Sequence, residues 1–316
     1  PAHSTLDERV EIAAQRIAAA GVDVIGMQEV SLTVANALTQ HVPGLQVERI
    51  ATRVAEITGY TWHWCWYLSN PHFPGEPDVQ TGGGGPLSDE IAKLASGNYA
   101  SFKEGLAILS RHPILAAEGR RLPGRVPGEA ALCPPSDEVP PICPATVIFE
   151  SRAALWAKVA TPGGSSQIVT THLSHDITEA SDASSLEQAL AVLAFAEQKA
   201  AEDPPTRRFL TCDCNATPDD AVPVVPTIVA AGWADTSAGA VCAALGDPGC
   251  TSDQDILAPA STTTERIDFV FSRPGSCDND QVTAGKLADT PDSTGPGTFL
   301  WASDHHGVTA DFGACP

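Results

Sequence analysis

The residues able to do chemistry sit in short strings at the ends of apolar runs: Met27-Gln28-Glu29-Val30, Thr171-His172-Leu173, Cys212-Asp213-Cys214-Asn215 and Ser303-Asp304-His305-His306. Strand ends are where α/β proteins gather catalytic groups. Glu29, Asp213, Asn215, Asp304, His172 and His305 together suit the hydrolysis of a phosphate ester. That reaction needs oxygen ligands for a hard cation, an imidazole that moves protons, and groups that meet the charge developing on phosphorus. Asp213 and Asn215 are two apart on an extended segment, so their side chains share a face and reach one phosphate or one water. An Asx turn before Pro218 is the blander reading of Asn215. Asp304 and His305 are adjacent, so both line one site only if the chain turns there. A register slip of one residue would put His306 in the place of His305.

The elements that must carry these strings follow from periodicity. Thr5-Leu6-Asp7-Glu8 reads as a capping box opening a helix to about Ala20, with Gly21 as its left-handed stop. Val22 to Gln28 reads as a buried strand ending at Glu29. The alternating aromatic patch Tyr60 to Tyr67 suits a strand, Ser88 caps a short helix to about Ser96, and Gly105 to Leu109 is a further strand. Ala153 to Thr161 and Gln167 to Thr171 flank Pro162-Gly163-Gly164-Ser165, a hairpin signal. Ser184 to about Ala201 is the longest helical stretch. Arg208 to Thr211, Arg266 to Phe271 and Val308 to Phe312 complete the strands, with a short helix over Val225 to Ala231. Hairpins mixed with helical crossovers give an α/β (α+β) architecture, sheets packed face to face with helices outside. Two tracts, about 60–98 and 123–144, read as insertions in a single domain spanning 1–316.

Bulk composition limits the partners. With 39 acidic against 18 basic side chains, the formal net charge of -21 disfavours a long polyanion such as nucleic acid without forbidding it. Arg120, Arg121 and Arg125 either form a local basic rim or are plain solvated loop arginines. No apolar run is long enough for a transmembrane helix. Nine cysteines, several in turn-rich segments, suggest a secreted protein whose leader is absent from this chain. The expected pairs are Cys133 with Cys143, Cys242 with Cys250, and Cys277 with Cys315, leaving Cys65, Cys212 and Cys214 unassigned. The Cys-x-Cys pair could bind a soft metal, close on itself, bond elsewhere, or stay as core thiols.

Seven strings in order resemble the endonuclease/exonuclease/phosphatase superfamily: Asp23 to Val30, Glu104 to Arg111, Thr171 to Leu173, Asp213 to Asn215, Gly232 to Thr236, Arg266 to Phe269 and Ser303 to His305. The resemblance implies a deoxyribonuclease-like fold, a two-layer β-sandwich flanked by helices, with the site where strand ends converge. It implies Glu29 and Asp304 as ligands of Mg2+ or another divalent cation such as Mn2+ or Ca2+. It makes His305 the general acid/base with Asp268 fixing its tautomer, and pairs His172 with the carboxylate of Glu104. Asp213 and Asn215 contact the nucleophilic water or the phosphate. An imidazole at 172 resembles the sphingomyelinase and deoxyribonuclease branches. The family's first strand carries an Asn that nothing before Thr5 resembles, so the chain given lacks that strand or the protein has dispensed with it.

The function that follows is a secreted, magnesium-dependent phosphoesterase in which water attacks a phosphodiester in line. A small or lipid-like head group is favoured, because Trp62, Trp64 and Trp66 suit a peripheral membrane contact or a hydrophobic substrate as well as core packing. The alternatives are a nonspecific endonuclease and a catalytically silent binding protein of the same fold.

Overall fold

The computed structural model describes residues 6–33, 44–70, 79–82, 104–123, 152–175, 182–273, 282–287, 290–295, 298–300 and 302–312. Two sheets lie face to face. One has five strands in the order β2(Gly44–Leu45), β1(Val24–Thr33), β5(Glu104–Ser110), β3(His63–Asn70), β4(Gln80–Thr81). The other has six, in the order β10(Ala234–Asp235), β11(Asp268–Arg273), β9(Arg207–Asp213), β8(Gly164–His172), β7(Ala153–Thr161), β6(Ile114–Arg121). Helices α1(Leu6–Ala20) and α2(Gln46–Thr58) cover the first sheet, and α3(Asp182–Glu202) and α4(Val224–Ala230) the second. Two-stranded sheets of β12(Val282–Leu287) with β15(Gly307–Phe312), and of β13(Asp292–Gly295) with β14(Thr298–Leu300), complete the described strands.

The alternation of side chains along each strand builds three separate cores. Between the sheets lie Cys65, Tyr67, Leu106 and Ile108 from one side and Leu155, Ala157, Val159 and Ile168 from the other. On the opposite face of β3 and the residues leading into it, Trp62, Trp64, Trp66 and Leu68 pack against Ile17 of α1 and Ile50 and Val54 of α2. The period-2 pattern is what a strand buried on both faces requires. It also decides among the readings open for the tryptophans: they are core residues with at most 9% exposure, not a membrane-facing or substrate-facing stripe.

The expected hairpin forms between β7 and β8, with the second strand starting at Gly164 instead of Gln167, pairing Ala154 with Thr171 and Thr161 with Gly164. α3 then carries the chain across to β9, which pairs with β8 in parallel. Gly26 lies where β1 crosses β9 so closely that a Cβ there would meet Thr211 Oγ1 at 1.9 Å, which no side chain could accept. β1 does not stop at Glu29. It bulges between Met27 and Val30 and continues to Thr33, because its partner β5 extends the ladder at Gly105 and Glu104.

Thr5, the helix expected over Ser88–Ser96, most of both insertions, Arg125, and the pairs Cys133–Cys143 and Cys277–Cys315 lie outside the described residues. Cys242 and Cys250 form the expected disulfide. Cys212 and Cys214 close on each other, and Cys65 is a buried free thiol whose burial pushes it up to about 12. Of the two readings of the arginines, a separate basic rim does not form among the described residues. Arg120 lies over Phe195 and bonds Gln198 and Glu118, and Arg121 donates to Ser69 O beside the Tyr67 ring.

Candidate active site

The second sheet positions the site through register alone. In β9, Leu210, Cys212 and Cys214 face the helices, so Thr211 and Asp213 face the other sheet. β8 aligns His172 with Asp213, and β11 aligns Asp268 with the same residue. Three neighbouring strands therefore end in a row of His172, Asp213 and Asp268 on one face. The disulfide of Cys212 and Cys214 brackets Asp213 from behind, and Cys214 N donates to Ile267 O at 2.9 Å. Asn215 takes a left-handed φ of 45°, and its backbone N–H donates to Asp213 Oδ1 at 3.1 Å.

His305 arrives from the turn before β15. Its backbone N–H donates to Ser303 Oγ at 3.1 Å, its Nδ1 lies 2.9 Å from Asp268 Oδ2, and Asp213 Oδ2 is 3.9 Å away. Burial opposes the charged ring, but the Asp268 hydrogen bond and the charges of Asp268, Asp213 and Asp304 raise it to about 10. Asp213 responds the other way. Burial, then the charge of Asp268, raise its carboxyl to about 7 against the pull of His305, the Asn215 amide and Arg152. His306 is turned away from this cluster: it is 1% exposed, and its Nδ1 lies 3.3 Å from Lys286 Nζ.

His172 has a different environment. Its Nδ1 meets Arg152 Nη1 at 2.9 Å, and its Nε2 meets Asn215 Nδ2 at 2.9 Å and Asp213 Oδ2 at 3.4 Å. Burial first, then the charges of Arg152 and His305, hold the ring well below the ordinary histidine range. Glu104 belongs to the other sheet, in register with Ser31 of β1 and Asn70 of β3, whereas Arg152 precedes β7 in the sheet that carries His172. Sequence reading missed Arg152, although a signal existed: the hairpin register, extended one step past the pairing of Ala154 with Thr171, sets Ala153 opposite His172 and leaves Arg152 one residue further on.

Glu29 sits in the bulge with a left-handed φ of 52°, which aims its carboxylate across the gap to 3.9 Å from His172 Nδ1. Asp304 lies at the rim, 61% exposed and 4.0 Å from Arg9 Nη2. The turn sets His305 on Asp268 and leaves the Asp304 carboxylate exposed, near enough for its charge to act on His305. Among the described residues, the acidic and imidazole groups close enough for one ion are Asp213, Asp268 and His305, with ligand atoms within 4.8 Å of one another. Glu29 and Asp304 flank this group and are not members of it. The donor chemistry fits a hard divalent cation, because two of the three groups offer carboxylate oxygens.

A family model described as the endonuclease/exonuclease/phosphatase family matches residues 5–305. No curated protein matches the sequence. Among solved structures, a mannosyl-6-phosphatase of Bacteroides thetaiotaomicron superposes with a TM-score of 0.62 at 16% identity, covering 98% of this chain and 92% of its own. A family protein from Beutenbergia cavernae gives 0.59 at 19% identity, over 97% of this chain and 67% of that one. Truncated TDP2 of Caenorhabditis elegans gives 0.55 at 14%, over 98% and 91%. At these identities the structural likeness speaks for the fold.

Proposed function

The chain belongs to the endonuclease/exonuclease/phosphatase family and is a metal-dependent phosphoester hydrolase, and from that premise we propose that it is a magnesium-dependent phosphodiesterase acting outside the cell. The observation that carries the reading is the row of His172, Asp213 and Asp268 on adjacent strand ends, with His305 held on Asp268. Asp213, its carboxyl raised to about 7, is poised to take the proton of an attacking water near neutral pH. His305, oriented by Asp268 and charged up to about 10, protonates the leaving oxygen. His172 and the Asn215 amide donate to a phosphoryl oxygen on the other side of Asp213.

Glu29 and the rim carboxylate of Asp304 would hold the cation, as the sequence suggested. When bound, it supplies charge neutralisation for the equatorial oxygens. Glu104, on the facing sheet, is the carboxylate the resemblance implies for the support of His172, and it keeps that role in this reading. Extracellular placement is supported by two disulfides and by the absence, among the described residues, of a helix long and apolar enough to cross a membrane. The acidic surface favours a small or lipid-like diester over DNA.

The test is hydrolysis of bis-p-nitrophenyl phosphate, a p-nitrophenyl phosphomonoester, sphingomyelin and plasmid DNA, each with magnesium and then with chelator. Cation-dependent turnover of the small diester or of sphingomyelin is expected. Preference for plasmid would replace the small-substrate reading with an endonuclease, and preference for the monoester would make the enzyme a phosphatase. A folded protein inert on all four would leave a binding protein.

A further inference from the structure

We infer that Gln28 is a positioning residue: its bond to Thr170 across the gap between the two sheets holds the bulge of β1 that turns Glu29 toward the His172–Asp213 row, and thereby sets the grip of the site on its cation. The inference deepens the phosphoesterase reading and rests on it, since that reading makes Glu29 a cation ligand.

The alternation of β1 shows what the bulge accomplishes. Ile25 and Met27 pack beneath the helices, whereas Val24 and Gly26 face the second sheet. Side chains along a regular strand have a period of two, so Glu29 would follow Ile25 and Met27 onto the helix-covered face. The ladder departs from that pattern: Met27 pairs with Ala107 and Val30 with Gly105, three steps on β1 against two on β5. The extra residue lets Val30 take the place beneath the helices, where it is 1% exposed. Glu29 is thereby released from that face, takes its left-handed φ of 52°, and comes within 3.9 Å of His172 Nδ1.

A non-glycine residue keeps such a backbone only where its surroundings enforce it. After the bulge, the enforcement comes from the first sheet and its cover: Trp66 Nε1 donates to Val30 O at 2.9 Å, and Ser31 N donates to Gln46 Oε1 at 3.0 Å. Before it, the enforcement comes from the second sheet. Gly26 has no side chain to hold the sheets apart, and Gln28 Nε2 donates to Thr170 Oγ1 at 2.8 Å. Thr170 is fully buried and stands on the same face of β8 as His172, two residues before it. The amide therefore ties the Glu29 segment to the strand that carries His172. Without it, Glu29 would be aligned with its own sheet but not with the groups it faces.

Isothermal titration of the full chain with Mn2+ tests the inference without any substrate. Gln28→Met keeps the length of the side chain and removes the bond, and should weaken Mn2+ binding about 10–100-fold, the range for a residue that orients a metal ligand. Thr170→Val, which removes the other partner, should cost as much, and the double variant no more than either alone. Thr170→Ser, which keeps the hydroxyl, should bind like the wild type. In chelator, the backbone amides of Gln28 to Val30 should exchange with deuterium about 10-fold faster in Gln28→Met. A merely structural bond would lower the thermal midpoint and leave the affinity alone. Unchanged Mn2+ affinity in Gln28→Met and Thr170→Val, losses that add in the double variant, or a Thr170→Ser variant as weak as Thr170→Val overturns the inference. If Gln28→Met unfolds, Thr170→Val and Thr170→Ser decide. Glu29→Gln separates the two readings: should it bind Mn2+ like the wild type, Glu29 is no cation ligand and the functional assignment fails, while the exchange rates still decide whether Gln28 holds the bulge.

Discussion

The two imidazoles flank the same carboxylate and are built in opposite ways. His305 is backed by Asp268 and surrounded by Asp213 and Asp304, which hold it charged up to about 10. His172 is backed by Arg152 and enclosed, which holds it neutral. Both arrive at strand ends and both reach Asp213, at 3.9 Å and 3.4 Å. Their difference lies in one residue behind each ring, and it divides the labour: a ring that keeps its proton can give it to a leaving oxygen, and a neutral ring can only donate and accept hydrogen bonds. Between them, burial and then the charge of Asp268 hold Asp213 near 7 against the pull of His305, where a general base is most useful.

The comparison predicts unequal losses. Removing divalent cation with a chelator should abolish turnover, restored by adding magnesium back, because the crowded carboxylates no longer have a counter-charge. His305→Ala should lower kcat by about 10²–10⁴-fold, the range for a lost general acid. His172→Gln, which keeps a donor amide, should cost less, about 10-fold. If the His172 variant lost more than the His305 variant, the division of roles would be reversed.

The comparison also appears in pH dependence. Water activation needs Asp213 ionised and leaving-group protonation needs His305 charged, so kcat/KM should rise with pH through about 7 and fall through about 10. Bound cation moves both limbs to lower pH, since positive charge favours the deprotonated form of each. Asp268→Asn removes the largest influence raising His305, so the alkaline limb should move toward neutrality while the acid limb also falls with the loss of a neighbouring charge. An alkaline limb unmoved in Asp268→Asn would detach His305 from that limb.

Much of this was legible in the sequence, and what was not has identifiable causes. His172, Asp213, Asn215, Asp268 and His305 could be read because each ends or begins a short apolar run, and local alternation fixes which face a strand-end side chain takes. The β7–β8 hairpin was legible from its turn, and α1 and α3 from their periodicity. The partner of His172 was missed. The local hairpin register pointed to Arg152 and was overlooked, while the resemblance supplied Glu104 from a strand of the other sheet, whose approach no local pattern encodes. The continuation of β1 beyond Glu29 was hidden for the same reason, since the bulge exists only against β5. Alternation likewise revealed Trp62, Trp64 and Trp66 as one stripe but not that α1 and α2 cover it.

The smallest effect concerns stability, where the two sides can be separated without turnover. The fold favours charged His305, so its contribution is complete below the ordinary value of 6.5 and fades as pH rises to about 10. The fold disfavours ionised Asp213, so stability is lost as pH rises from 3.8 to about 7, and the deficit persists above that. In chelator, Asp213→Asn should therefore unfold at the same temperature as the wild type near pH 3.5 and a few degrees higher at pH 8, on the order of 2–4 °C for each kcal/mol relieved in a chain of this size. Magnesium should reverse the order at pH 8 by stabilising the wild type more than the variant. Scanning calorimetry at the two pH values, with and without magnesium, reads all four points. A variant that melts below the wild type at pH 8 in chelator would mean that ionised Asp213 is held favourably by its neighbours, and the contrast between the two rings would then lose its consequence for the carboxylate between them.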